Sequence, residues 1–149
     1  MKAMGVHAFS FLVMAVLTIS LAGCGGTAKK EWIDPALNPD LHFTYIPALG
    51  SFRDLEGKIT GRISPKELAV AVYIKVADGW WTKPSSTEPL TLPADDGTWI
   101  CDITTREGDE QATEIVAYLV KRNTAPPLAS GTTDLPSIPG SLDTEAAFR

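Results

Sequence analysis

Short runs in which apolar and polar residues alternate occupy most of the chain after residue 40. In residues 68–76 every second side chain is aliphatic, namely Leu68, Val70, Val72, Ile74 and Val76. Because successive side chains of a strand point to opposite faces, this period predicts a strand with one aliphatic face. The opposite face carries smaller or more polar side chains, which are Ala69, Ala71, Tyr73 and Lys75.

Five further segments have the composition of short strands, with turn residues between them. They are residues 41–47, 55–63, 80–84, 98–105 and 114–121. The dipeptides at residues 78–79 and 96–97 are Asp-Gly, which predicts turns. Gly57 or Gly61 suits a bulge or the close approach of another group to the backbone. Residues 114–121 are also compatible with two helical turns, but their β-branched and aromatic side chains favour a strand.

This pattern predicts an all-β domain. About six or seven short strands, with a turn roughly every 8 to 12 residues, are typical of an antiparallel β-sandwich of the immunoglobulin-like type. Four prolines in the C-terminal part predict that most of it is extended or irregular, and they are Pro126, Pro127, Pro136 and Pro139. Residues 141–149 suit either a frayed strand or a short helix.

The N-terminus has a different character. After Met1 and Lys2, residues 8–21 are predominantly apolar and uncharged, and they end at the small residues Ala22 and Gly23. This arrangement is typical of a secretory signal peptide. The run is shorter than the about 20 apolar residues that a membrane-spanning helix needs, so a retained helix is the second choice.

Residues 21–24 are Leu-Ala-Gly-Cys, and this motif resembles the lipobox of bacterial lipoproteins. The resemblance implies that the chain is cut before Cys24 and that the Cys24 sulfur carries a diacylglyceryl group. Stable anchoring requires more than one acyl chain, which this modification supplies. Gly25 and Gly26, where an aspartate would signal inner-membrane retention, favour the outer membrane in a cell that has one. An ordinary signal peptide with a chance cysteine is the alternative.

The sequence therefore predicts four regions: a lipoprotein signal peptide at residues 1–23, a tether at 24–40, a β-sandwich domain at 41–136 and a C-terminal tail at 137–149.

The formal net charge is −5 at pH 7, and a chain of this charge without a basic run is a poor nucleic-acid binder. Once Cys24 is lipidated, Cys101 has no partner for an internal disulfide. The alternation around Cys101 favours a buried side chain over a reactive thiol.

Few residues of the chain suit catalysis. His42 is the only histidine after residue 23, and no nucleophile turn, phosphate-binding glycine loop or metal-ligand spacing is present in the sequence. Carboxylates are frequent in two segments and comprise Asp95, Asp96, Glu107, Asp109, Glu110 and Glu114. A glycosidase pair and a calcium site in residues 107–114 are the functional alternatives, but acidic loops between strands are usually only solvated. We therefore expect no enzymatic activity, no cofactor and no bound metal.

The adjacent tryptophans Trp80 and Trp81 are the strongest candidate for a binding feature. Since neighbours on a strand point to opposite faces, we expect Trp80 to point inward and Trp81 outward, on the side of Lys83. Tyr73 on the preceding strand then lies near Trp81 across the hairpin. An exposed indole beside a phenol and an ammonium suits stacking on a sugar ring or packing on a partner protein. Alternatively, both rings belong to the core, one between the sheets and the other under the proline-rich tail.

Two segments, AVYIKVADGWWTKP at residues 71–84 and DGTWICDITT at residues 96–105, resemble a β-rich accessory module of bacterial secreted and surface proteins. That module is associated with polysaccharide-active enzymes and lipoproteins. The similarity extends over about residues 45–136 and implies an immunoglobulin-like fold in an envelope or carbohydrate setting, with no catalytic residue to transfer.

These observations predict a non-enzymatic binding or accessory module at the cell envelope, anchored in the membrane through Cys24. A polysaccharide is the first-choice ligand, and the predicted ligand-binding residues are Trp81, Tyr73, Lys83 and Trp80. A structural or protein-interaction lipoprotein of an envelope complex is the alternative.

Overall fold

The computed structural model describes residues 38–149 of the protein, and in this part of the chain the strands form two antiparallel sheets. The strands are β1 (Asp40–Tyr45), β2 (Leu55–Thr60), β3 (Leu68–Val76), β4 (Gly79–Lys83), β5 (Thr98–Cys101), β6 (Glu114–Lys121), β7 (Ser130–Thr132) and β8 (Asp143–Phe148). Helical structure in the described residues is limited to two short 3-10 turns, Pro65–Glu67 and Asp109–Gln111. The predicted all-β architecture with two packed antiparallel sheets is confirmed.

β3 and β6 lie at the centre of the five-stranded sheet, whose order is β7-β4-β3-β6-β8. Their pairing runs from Leu68 opposite Lys121 to Lys75 opposite Glu114. The three-stranded sheet has the order β1-β2-β5. Residues 114–121 form a strand rather than helical turns because their apolar side chains alternate between two buried faces of the larger sheet.

Side chains from both sheets form the main core. Its members are Leu41, Leu55, Ile59, Leu68, Val70, Val72, Ile74, Trp99, Cys101, Ile103, Ala112, Ile115, Ala117 and Leu119. Trp99 of β5 is the largest of them and lies directly across from Gly57 of β2. A Cβ at Gly57 would overlap the Trp99 indole, so the close approach predicted at this glycine is present.

The outer face of the five-stranded sheet carries a second buried group, which we name the outer cluster. It consists of Ala69, Ala71, Tyr73, Trp80, Val116, Val120, Ala129 and Ile138. Ala129 and Ile138 belong to the proline-rich segment after β6, so this segment packs on the sheet. As a result, β3 is buried on both faces over most of its length.

The last strand lies in the segment that the sequence assigned to a C-terminal tail. β8 pairs with β6, from Asp143 opposite Leu119 to Phe148 opposite Glu114. The Asp143 carboxylate accepts a hydrogen bond of 2.7 Å from the N–H group of Leu41 in β1, which joins the two sheets at this edge. The folded domain therefore continues past residue 136 and includes β8.

The N-terminal predictions concern residues that the structure does not describe. The signal peptide, the lipidation site Cys24 and nearly all of the tether lie outside residues 38–149. Within that described range, no helix is long and apolar enough to cross a membrane. The signal peptide and the lipid anchor therefore stay predictions.

Candidate functional site

Strand β4 places the two tryptophans on opposite faces of the five-stranded sheet. Trp80 is only 5% exposed and belongs to the outer cluster together with Ala129 and Ile138. Trp80 is buried, but the prediction that it points inward and Trp81 outward is wrong. The Trp80 ring lies on the outer face of the sheet under the proline-rich segment, and Trp81 packs against the main core, which is closer to the alternative that both rings belong to the core. Trp80 therefore contributes to stability, and the predicted ligand contact at this ring would require the covering segment to leave.

Tyr73 does not lie beside Trp81. The register of β3 and β4 sets Trp81 opposite Ile74 and Tyr73 opposite Thr82, so Tyr73 points to the other face of the sheet. Its side chain is fully buried, and its hydroxyl donates a hydrogen bond of 2.6 Å to the Pro127 carbonyl. Burial raises the pKa of Tyr73 to about 12. The predicted exposed contact between Tyr73 and Trp81 is wrong because directly opposite residues share a face.

Lys83 does not mark a solvent-facing side of β4. Its side chain is 1% exposed and forms an ion pair with Asp109, whose side chain is 4% exposed. The Lys83 ammonium also donates a hydrogen bond of 3.0 Å to the Thr105 hydroxyl. The prediction that Lys83 lies at the surface beside Trp81 is wrong, because a carboxylate distant in sequence reaches the ammonium inside the protein.

The groups around Lys83 form a closed set of polar contacts, which we name the Lys83 network. The Asp109 carboxylate accepts a hydrogen bond of 2.7 Å from the Arg106 backbone N–H. The Thr105 hydroxyl donates one of 2.7 Å to the Pro84 carbonyl. A buried ion pair requires such additional bonds to offset the desolvation of both charges. The network thus fixes the backbone of residues 105–109 against the end of β4.

Trp81 is half-buried at the edge of the main core. The Arg106 guanidinium lies over its ring, at 3.8 Å from the ring centroid, which is a cation–π contact. Gly131 of β7 lies against the edge of the same ring, and a Cβ there would come within 3.1 Å of it. The indole is therefore not an open plate, since the guanidinium plane covers one of its faces.

A cleft of about 230 Å³ opens next to this stacked pair, and we name it the Trp81 cleft. The end of β4, the loop that follows it, residues 105–106 and residues 129–130 form its walls. Five hydroxyl-bearing residues line it, namely Thr82, Ser85, Ser86, Thr105 and Ser130. The cleft combines an aromatic ring, a cation and several hydrogen-bonding groups, and this is the composition of a binding site for a polar ligand.

The Trp81 cleft has one charge without a salt-bridge partner among residues 38–149. Lys83 is also a lining residue, but its side chain is 1% exposed and its ammonium is paired with Asp109. Arg106 forms no salt bridge with any carboxylate of residues 38–149. The guanidinium of Arg106 is therefore the group in this cleft that is available to an anion.

Three of the acidic residues considered as catalytic or calcium-binding, Asp109, Glu110 and Glu114, have other partners. Asp109 belongs to the Lys83 network, and the Glu114 carboxylate forms a salt bridge of 2.8 Å with Lys75. A Glu110 carboxylate oxygen accepts a hydrogen bond of 3.1 Å from the N–H group of Gly108. Within the part of the chain that the structure describes, no group of three or more potential metal ligands occurs.

Cys101 and His42 have the environments expected of structural residues. Cys101 is buried and free, and burial raises the pKa of its thiol to about 12. The predicted buried cysteine is confirmed. The exposed His42 ring lies 2.9 Å from the Asp40 carboxylate near the start of β1. Neither side chain lines the Trp81 cleft.

The sequence identified Trp81 but not the residues that surround it. Arg106 and Thr105 lie more than twenty positions further along the chain, in a segment that sequence patterning assigned to a strand end and a solvated loop. The adjacent tryptophans gave the only indirect signal of these neighbours. One strand places its two rings on opposite faces, so the second ring has to pack against side chains from another segment. Which side chain supplies that partner depends on how the loop folds back.

Comparisons with known proteins identified no relative of this chain. No protein-family model, no curated protein and no solved structure matches this chain. The function is therefore argued from the residues and their geometry.

Proposed function

We propose that the protein is a non-enzymatic binding module of the cell envelope, anchored through a lipid on Cys24, and that the Trp81 cleft binds a polysaccharide. The Leu-Ala-Gly-Cys motif behind an apolar run supports the anchor. The two antiparallel sheets support an immunoglobulin-like sandwich, which is a scaffold that commonly presents binding sites at its ends and edges. In a cell with an outer membrane, Gly25 and Gly26 favour that membrane.

The stacking of Arg106 on Trp81 beside the cleft is the observation that carries the ligand proposal. A sugar ring has apolar C–H faces and a rim of hydroxyl groups. The indole supplies apolar surface, while the guanidinium and the neighbouring hydroxyls supply donors and acceptors at its edge. These complementary groups converge within one cleft and arise from three different parts of the chain.

The size of the cleft limits the extent of the ligand. Its volume of about 230 Å³ is below the range of about 300–1,000 Å³ that is typical of pockets for drug-sized ligands. A single sugar ring, or the end of a chain, fits this volume better than a long oligosaccharide does. We therefore expect weak binding at one site, which becomes effective where many anchored copies face a polymeric ligand.

A polysaccharide pull-down tests the ligand class. The full-length protein, purified from membranes in detergent, is mixed with insoluble cellulose, chitin, xylan and peptidoglycan, and the bound fraction is measured. We expect retention on at least one polymer and its loss in Trp81→Ala. Phe52→Ala is the matched control, since Phe52 is an aromatic side chain, 73% exposed, that lies outside the cleft. No retention of a well-folded protein on any polysaccharide would contradict the proposal.

Metabolic labelling tests the anchor separately. Cells that express the full chain are grown with a clickable fatty acid, and the label on the protein is measured. We expect incorporation in the wild type and in Cys101→Ser, and none in Cys24→Ser, because Cys101 is buried. Equal labelling of the Cys24→Ser variant would show that the anchor prediction is wrong.

A protein-interaction role is the second candidate, and one observation favours it. The connection between β1 and β2 exposes three large apolar side chains, Ile46, Leu49 and Phe52, at 41%, 51% and 73%. Exposed apolar groups close together in sequence suit a protein contact. Crosslinking in intact cells that recovers one stoichiometric protein, and that is lost in a Leu49→Ser, Phe52→Ser variant, would support this role over polysaccharide binding.

A further inference from the structure

We infer that the Trp81 cleft selects acidic saccharides and that the Arg106 guanidinium binds the carboxylate of a uronic acid residue. This inference rests on the proposed polysaccharide function and specifies its substrate class. A neutral sugar requires hydroxyl and stacking contacts only, and the cleft supplies those without Arg106. The Arg106 guanidinium adds a positive charge, and a neutral sugar has no anionic group to pair with it.

The electrostatics of the cleft support this choice. Lys83 cannot serve a ligand, because it is 1% exposed and paired with Asp109. Arg106 is exposed and has no carboxylate partner within residues 38–149. A guanidinium binds a carboxylate through two parallel N–H donors, which makes Arg suited to this anion.

Arg106 is also held in position before a ligand arrives. Its side chain stacks on Trp81 at 3.8 Å, and its backbone N–H donates to the Asp109 carboxylate at 2.7 Å. Asp109 is in turn fixed by its ion pair with Lys83 on β4, the strand that carries Trp81. Less side-chain entropy is lost on binding when the contacting group is already ordered. Asp109 is thus a positioning residue, Trp81 both holds Arg106 and contacts the sugar, and Arg106 is the residue that contacts the anion.

The overall charge of the protein indicates that this recognition is local. At a net charge of −5, the protein as a whole does not attract a polyanion. Selectivity must therefore come from short-range contacts at Arg106, which are effective within about one Debye length of 8 Å at physiological salt. The hydroxyls of Ser85, Ser86 and Ser130 lie in the same cleft and suit the ring hydroxyls of the bound sugar.

A matched pair of ligands tests the inference. The probes are an oligogalacturonide of fixed length and the same oligosaccharide after carboxyl reduction, which differs only in the acid groups. Affinities for the full-length protein in detergent are measured by calorimetry. We expect the acidic probe to bind at least about tenfold more tightly, in line with a charge-assisted pair of hydrogen bonds. In Arg106→Gln the two probes should bind equally, while Arg106→Lys should retain only part of the preference.

Arg53→Gln is the control variant. Arg53 also lies over an aromatic ring, that of Tyr45, at 4.1 Å, but it does not line the Trp81 cleft. Its substitution should leave the preference for the acidic probe unchanged. Thermal melting of each variant confirms that the fold persists, so that a lost preference reports on the cleft and not on unfolding.

The possible outcomes separate the inference from the proposed function. Equal affinity of the wild type for both probes would overturn the inference and leave polysaccharide binding intact. Binding of neither probe, with retention on a neutral polysaccharide in the pull-down, would have the same meaning. Binding of neither probe and of no polysaccharide would overturn both proposals. Polyglutamate of equal charge bound as tightly as the acidic probe would also overturn the inference, since the site would then bind carboxylates without reading a sugar.

Discussion

The two faces of β4 bury their side chains by different physical means. On the outer face, Trp80 is covered by apolar side chains of the proline-rich segment, and the neighbouring Tyr73 adds one hydrogen bond to a carbonyl. On the inner face, Lys83 is neutralised by Asp109, and Trp81 is covered by the guanidinium of Arg106. Each ring also has a cation nearby, Lys75 at 5.7 Å from the Trp80 centroid and Arg106 at 3.8 Å from the Trp81 centroid. The two faces differ in their main cover, which is apolar side chains over Trp80 and a guanidinium over Trp81.

The two faces also differ in whether the cation near the tryptophan is available to a ligand. On the outer face, the Lys75 ammonium near Trp80 is paired with Glu114. On the inner face, Lys83 is paired with Asp109, but the guanidinium of Arg106 has no carboxylate partner among the described residues. Of the two cations that lie over the tryptophans of β4, Arg106 is therefore the one available to a ligand.

The largest effect is expected from breaking the Lys83 network. Asp109→Ala leaves the Lys83 ammonium buried and unpaired, so the free energy of unfolding should fall by about 3–5 kcal/mol. Urea denaturation of the full chain measures this change.

Glu107→Ala, at an exposed position two residues earlier, is the control and should have little effect. A double variant, Lys83→Met with Asp109→Leu, should recover most of the loss because no charge remains buried. A loss below about 1 kcal/mol in Asp109→Ala, within the range of an exposed pair, would contradict a buried network.

The two tryptophans should differ in their contributions to stability. Trp80→Ala removes a ring that is 5% exposed and should lower the free energy of unfolding by about 3–5 kcal/mol. Trp81→Ala removes a half-buried ring and should have a clearly smaller effect on stability, although we expect it to abolish the proposed ligand binding. Chemical denaturation of both variants under identical conditions gives the comparison. Equal losses would mean that the two faces are buried to the same degree in solution.

Alkaline pH should weaken the outer cluster. The pKa of Tyr73 is raised from 10.0 to about 12 by burial and secondly by Tyr118. The native state then keeps a proton that the unfolded chain loses, so this stabilisation is complete below pH 10 and is lost as the pH rises toward 12. Tyr73 alone should lower the free energy of unfolding by at most about 1.4 kcal/mol per pH unit in this window.

The control for this pH dependence is a tyrosine elsewhere in the fold. The slope between pH 10 and 12 should be smaller in Tyr73→Phe and unchanged in Tyr45→Phe, which alters a half-buried ring of β1. Cys101, with its pKa raised from 9.0 to about 12 by burial, contributes in the same direction in all three proteins. An identical slope in wild type and Tyr73→Phe would rule out Tyr73 as the titrating group.

The smallest effect on stability is expected at Arg106, the residue that we propose contacts the ligand. Arg106→Gln loses an exposed cation–π contact, which contributes about 0.5–1 kcal/mol, and leaves the Lys83 network in place because only the Arg106 backbone takes part in it. Its thermal midpoint should stay close to that of the wild type while its preference for acidic ligands disappears. A large loss of stability would mean that Arg106 is mainly a structural residue.

Strands β1 to β6 could be predicted because they follow from local patterns of side chains, whereas β7 lies in the segment that the prolines assigned to extended or irregular structure. Residues 68–76 alternate regularly and residues 114–121 are rich in β-branched and aromatic side chains, and both are central strands of the larger sheet. Gly57 marked a close approach, since a strand interior rarely places glycine without a steric reason. Residues 143–148 carry a weaker period, with one buried side chain, Ala147, so the sequence left β8 open between a strand and a helix.

The environment of a side chain could not be predicted in the same way. Alternation assigned Trp80 and Trp81 to opposite faces, which is what the fold contains, but it did not show that both faces of β4 are covered. Lys83 was placed in water because an unpaired ammonium is rarely buried. Its partner Asp109 lies 26 residues later, and only the folded loop brings the two together.

The sequence by itself determined the all-β class, the central strands and the division of the two tryptophans between faces, because these depend on the fixed geometry of a strand. Tertiary structure alone decided that the proline-rich segment covers Trp80 and Tyr73, that Asp109 neutralises Lys83, and that Arg106 stacks on Trp81. Each of these contacts joins segments far apart in the chain. Burial, charge pairing and an available cation result from contacts of that kind, and a local pattern does not encode them.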